Sequence, residues 1–179
     1  MIAVVVVVLL VVMGVSGYNG LVQMNENVNG KWAQVENQLQ RRADLIPNLV
    51  TTVKGYAAHE QQAIQAVADA RAKLAGAQGP AAKGQADAEL GGALSRLLVI
   101  SENYPNLKAD QNFRGLMDEL AGTENRIAVA RKDYNDAVQG YNAKIQSFPT
   151  VIYARILGFG QKEYFKAAEG AKEVPKVQF

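Results

Sequence analysis

The sequence predicts an all-α protein, an antiparallel up-and-down four-helix bundle preceded by one N-terminal transmembrane helix. Three observations lead there. Met1 to Val15 reads MIAVVVVVLLVVMGV, with no charge and no strong polar group. From Leu21 onward, apolar residues recur at the three-four spacing of a helix that lays one stripe against its neighbours. The remaining composition is dominated by Ala, Leu, Gln, Glu, Lys and Arg, all good helix formers, and aromatics make up only 7%. The 179 residues divide into an anchor over 1–22, a helical bundle over 23–148, and a short amphipathic helix with an extended tail over 149–179.

The anchor is argued from length. At ~1.5 Å per residue, Met1 to Val15 covers about 22 Å, short of a hydrocarbon core of ~30 Å. Extension through Tyr18 to Val22 brings the run to roughly 33 Å, which suffices. Met1, Val8 and Val15 then mark the buried stretch, and Tyr18 lies near an interface, where amphipathic rings are favoured. A cleaved signal peptide fits less well, because no Lys or Arg precedes the run and no A-x-A site follows it. A core strand of this length fits poorly too. The first downstream cations, Lys31, Arg41 and Arg42, lie mostly beyond the zone that sets orientation, so the side of the membrane stays open.

The first helix continues out of the anchor. One apolar line runs Leu21, Val28, Val35, Arg42, Leu49 and Tyr56; its companion runs Trp32, Leu39, Ile46 and Val53. Pro47 deletes the hydrogen bond to the Ala43 carbonyl, a loss of about 3 kcal/mol in a helix interior. The apolar pattern passes straight through it, which predicts a kinked helix and not two helices. A second helix spans about Ala57 to Ala75, with Ile64, Val67, Arg71 and Leu74 on one side. Gly76 to Gly84, with Pro80 inside, reads as a linker. A third helix runs from about Ala86 through Leu90, Leu94, Leu97, Leu98 and Ser101 to near Tyr104-Pro105. The fourth, about Asp110 to Phe148, carries an unbroken stripe from Phe113 through Leu120, Ile127, Tyr134 and Tyr141 to Phe148, and Pro149 stops it. A short helix over Val151 to Leu157 follows, then Gly158-Phe159-Gly160 and a tail, Val174 to Phe179, that reads as extended. Phe159, Tyr164 and Phe165 are expected to pack on the bundle, with insertion into a membrane surface as the alternative.

Little in the chain is equipped for chemistry. There is no cysteine, so thiolate nucleophiles, disulfides and Cys-based metal sites are excluded. The single histidine, His59, precedes Glu60, but Ala63 replaces the second histidine of H-E-x-x-H. Gly76 to Gly84 lacks the Lys-Ser/Thr of a phosphate loop, and no Gly-x-Ser-x-Gly turn occurs. A net charge of +2 excludes the basic excess of a nucleic-acid binder. The reading is no enzyme, no cofactor, no metal and no nucleic-acid partner.

Polar residues at or beside stripe positions stand out instead. Arg42 occupies an a position, with Asp44 and Asn48 flanking it around Pro47; Glu119, Glu124, Asn125, Arg126 and Asn135 crowd the fourth stripe. A charge in a core must be paired or it costs several kcal/mol. The pattern predicts a structural network in which Arg42 meets Glu119 or Glu124 near Pro47 and fixes helix register. The alternative is that Arg42 snorkels to the surface.

Several blocks resemble the LemA family: Tyr18-Asn-Gly-Leu-Val22, QLQRRADLIPNLVTTVKGYAAHE (Gln38 to Glu60), Tyr104-Pro-Asn-Leu-Lys-Ala109 and Glu119-Leu-Ala-Gly-Thr-Glu-Asn-Arg-Ile127. Tyr134-Asn135, Tyr141-Asn142, Phe148-Pro149 and Gly158-Phe159 extend the likeness over nearly the whole chain. The resemblance implies a bacterial protein with one N-terminal membrane helix and an up-and-down four-helix bundle, from a family with no established enzymatic activity or cofactor. A short cationic lead-in, expected of the family, is missing ahead of the apolar run. Together these readings predict a single-pass protein of the bacterial cell membrane whose bundle acts as a scaffold or interaction module. Gly14, Gly17 and Gly20 suit close helix packing and hence a homo-oligomer. A lipid-binding or membrane-remodelling role in stress response is the alternative.

Overall fold

The computed structural model describes residues 1–166, apart from the side chains at positions 6, 7 and 10. Six helices and no strand occur among the described residues, so the all-α expectation holds. They are α1 (Ile2–Tyr56), α2 (Gln61–Gly76), α3 (Gly79–Ser101), α4 (Pro105–Ala109), α5 (Gln111–Gln146) and α6 (Thr150–Ile156). The expected extended tail over Val174 to Phe179 lies outside the described residues.

Several boundaries differ from the sequence expectation for local reasons. The expected linker over Gly76 to Gly84 shrinks to Ala77 and Gln78. Gly79 takes a φ of +77°, which glycine adopts without a Cβ penalty, and Pro80 then enters the first turn, where its missing N–H costs nothing. α2 starts at Gln61, not Ala57, after a turn that carries exposed His59. α3 stops at Ser101, and Pro105 opens the separate helix α4. Asp110 caps α5: its carboxylate accepts the Phe113 N–H at 2.8 Å and the Tyr56 hydroxyl at 3.0 Å. Those two hydrogen bonds, the backbone one foremost, hold the Asp110 carboxyl below its ordinary pKa.

The chain resolves into two compact units, both of which draw on α1 and α5. Among the described residues the first comprises 1–35 and 130–164, the second 36–129 with Phe165 and Lys166. In the first, Leu21, Val28 and Val35 of α1 and Tyr134, Val138, Tyr141 and Ile145 of α5 are buried. Trp32 packs on Tyr134 at 5.1 Å between ring centroids, and Lys31 pairs with Asp133 at 3.0 Å. The segment after α6 is fastened to α5 by side chains acting on its backbone. Asn142, 7% exposed, donates to the Lys162 carbonyl and accepts the Lys162 N–H, both at 2.9 Å, and the Tyr134 hydroxyl donates to the Glu163 carbonyl at 2.7 Å. Phe159 meets Tyr18 edge-on at 5.9 Å, whereas Tyr164 is largely exposed. Phe148, expected to close the fourth stripe, is instead 81% exposed, because α5 has already ended at Gln146.

In the second unit the buried set includes Leu39, Ile46, Leu49 and Val53 of α1, Ile64, Val67 and Leu74 of α2, Leu90, Leu94 and Leu97 of α3, and Phe113, Leu120 and Ile127 of α5. Tyr56 and Leu98, placed on stripes by spacing, face outward. α1 remains one helix through Pro47, as the pattern required. The reason is visible at Ala43. Its carbonyl, deprived of the N–H that proline lacks, accepts the Arg71 Nε from α2 at 2.9 Å.

Among the described residues no helix is long and apolar enough to cross a membrane. Positions 6, 7 and 10, inside the apolar run, are outside that description, so it does not reach the span expected over 1–22.

Candidate functional site

Two features could carry function: a buried polar cluster in the second unit and the apolar beginning of α1 in the first.

The cluster is built on Arg42, only 6% exposed. Its Nη1 donates to Asp87 of α3 at 2.8 Å and also pairs with Glu124 of α5. Arg42 therefore does not snorkel to the surface. Of its two expected partners, Glu124 is present and Glu119 is not. Glu119 instead takes Arg41 at 2.6 Å and Arg126 at 2.9 Å, in a second, more exposed cluster. Asp44 is exposed and accepts a hydrogen bond from Gln40 at 2.8 Å, so it stays on the surface of its own helix. Asn48 and Asn125 are exposed as well, Pro47 contributes through the Ala43 carbonyl it frees, and Asn135 belongs to the first unit. The reason for these departures is angular: residues one or two positions off a stripe point away from the seam. Asp87 was missed by sequence reasoning, although it is 6% exposed and supplies the most enclosed carboxylate of the cluster. What the arrangement does chemically is neutralise one buried guanidinium between helices.

A groove of about 310 Å³ in the second unit is lined by Glu36, Gln40, Leu74 and Lys83 among others, and a second of about 360 Å³ in the first unit by Asn25, Tyr141 and residues 157–162. Among the described residues no group of three or more His, Cys, Asp or Glu side chains could hold a metal ion.

Tyr134 is electrostatically perturbed. Burial, and then the charge of Glu163, push its phenol up to about 12. An unfolded tyrosine releases its proton near pH ~10, so between the two values the native state alone retains it. The stabilisation is complete below about pH 10 and lost as pH rises toward about 12. Thermal melts across that window are expected to fall less steeply with pH in Tyr134→Phe than in the parent protein.

The beginning of α1 presents the opposite character. Every described side chain from Met1 to Ser16 is exposed, on all sides of the helix; burial starts at Gly17 and is complete at Leu21. Val8 and Val15 are 55% and 56% exposed, and Tyr18 is 43% exposed. Gly17 lies where α6 arrives: a β-carbon there would overlap the Tyr153 hydroxyl.

Comparison with known proteins sets these features in context. The family model described as "LemA family" matches residues 31–179. The magnetosome proteins MamQ 1 and MamQ 2 of Paramagnetospirillum magneticum are each 31% identical to the chain over 175 aligned residues. The magnetosome protein MamQ of Magnetospirillum gryphiswaldense is 30% identical over 174. In each case 83% of this chain and 64% of the relative are covered, so the chain spans just under two thirds of the length of these relatives. By the family model and by these relatives together, the chain belongs to the LemA family.

Proposed function

We propose that this protein is a membrane-anchored helical scaffold of the bacterial envelope, non-enzymatic and self-associating, whose up-and-down four-helix bundle is carried on the apolar beginning of α1. The observation that carries the reading is the apolar exposure of that segment. Contiguous exposed apolar surface on a soluble monomer rarely exceeds a few hundred Å². A helix apolar all round belongs in a bilayer. In the sequence the run from Ile2 to Val15 holds no charged residue, and α1 is helical throughout it. The names of the relatives designate a cellular structure and not a reaction, which supports a structural role for this chain. Gly14 and Gly20 each have open space beside them, which leaves α1 open to the close approach of a neighbouring helix at either position.

Deletion of residues 1–20 tests the anchor. The shortened protein is expected in the soluble fraction after a carbonate wash, and continued sedimentation with membranes would remove the basis for a spanning helix. Mass photometry of the full chain in detergent tests self-association, and a strict monomer would exclude it.

A further inference from the structure

We infer that α6 is a second lipid contact: its outer face lies in the headgroup–acyl boundary of the leaflet through which α1 leaves the bilayer. The inference rests on the anchor reading above and adds to it a particular surface and its occupant. It starts from an unexplained exposure. Thr150 and Ala154 turn inward, 2% and 1% exposed, while Ile152 and Ile156 on the opposite face are 55% and 79% exposed. Phe148 just before the helix and Leu157 just after it add 81% and 50% exposure to the same region. Two turns of helix with large apolar groups outside and small groups inside invert what water favours.

The position of the patch names its occupant. Tyr153 of α6 reaches α1 at Gly17, so closely that a β-carbon there would have to displace its hydroxyl, and Phe159 meets Tyr18 at 5.9 Å. Gly17 is where side chains on α1 first become shielded, directly after the all-round exposed stretch. The patch is therefore carried by a helix that touches α1 at the end of its exposed apolar stretch, where tyrosine rings favour the interface. Arg155, exposed between Ile152 and Ile156, supplies the cation that such a surface places against lipid phosphate. A lipid boundary accounts for the apolar groups, the single cation and the location together.

The test uses the full chain and its lack of cysteine. Single variants Ile156→Cys, Val8→Cys and Ala33→Cys are labelled with an environment-sensitive fluorophore. They are reconstituted in phosphatidylcholine vesicles containing a minority of phosphatidylglycerol. Ala33 is exposed on α1, about 24 Å beyond Gly17 at ~1.5 Å per residue, and reports water. Position 156 is expected to lose most of its emission to nitroxide lipids labelled near the headgroup and less to those labelled at the bilayer centre. Position 8 should show the reverse, and position 33 should respond to neither. Quenching at 8 with position 156 behaving like 33 overturns the α6 contact and leaves the anchor standing. A blue-shifted but unquenched label at 156 means that protein, such as a second copy of the chain, covers the patch, and it also overturns the contact. No quenching at position 8 removes the anchor and the α6 contact with it. Ile152→Cys gives an independent reading from the same face, and circular dichroism confirms that each variant is folded.

Discussion

Arg42→Met is expected to destabilise the protein by about 3–5 kcal/mol, because it strips a buried carboxylate of its cation. For a chain of this length that corresponds to a fall of roughly 6–20 °C in Tm. The two acids should not share the effect equally. Asp87 is 6% exposed and held at 2.8 Å, whereas the Glu124 side chain is 54% exposed and already meets water. Glu124→Gln is therefore expected to cost less than about 1 kcal/mol. The double variant Arg42→Met with Asp87→Leu should recover most of the loss, since an apolar pair avoids the desolvation that the ions undergo. Chemical denaturation of the single and double variants measures this. An Arg42→Met protein that melts at or above the parent temperature would show that the cluster is not required for the fold.

Phe165→Ala is expected to cost up to about 3–5 kcal/mol locally, the usual range for removing a buried phenylalanine. Phe165 is 2% exposed and sits over Gly84 of α3, where a β-carbon would lie 3.3 Å from its ring and 2.6 Å from the Lys166 carbonyl. Because Phe165 lies beyond α6, the loss is capped by release of its own segment. It should appear as faster tryptic cleavage at Lys166 more than as a lower global Tm. Gly84→Leu should give the same phenotype without touching Phe165, by filling the space its ring and the adjoining backbone occupy. If both variants keep the parental cleavage rate, Phe165 is not what holds that segment.

The helices were legible because their stripes are long, and the polar cluster was half legible for the same reason. Arg42 and Arg71 both stood on apolar lines in the sequence, and both make buried or half-buried interhelical bonds. Asp87 obeys the same rule: it lies three residues before Leu90 on the line through Leu94, Leu97 and Ser101. Extending that line one step backward, inside the third helix expected from about Ala86, would have found it. Asp44, Asn48 and Asn125 were selected for being near a stripe, and nearness is not enough when ~100° separates successive side chains. The ends of the stripes misled at Tyr56 and Phe148, where a helix stops and the last residue is left exposed. Nor could spacing reveal the clasp of Asn142 on Lys162, which depends on backbone brought back from twenty residues downstream.

The vacancy that Pro47 leaves at Ala43 works as a detent for α2. One helical turn away from Arg71 stand Val67 and Ala75, neither of which has a side-chain donor. Sliding α2 by a turn in either direction would keep grease against grease yet strand a carbonyl, a loss of about 1–3 kcal/mol if it stays buried. Apolar seams alone tolerate such slippage. Here a single missing amide proton on one helix selects a single notch on the other.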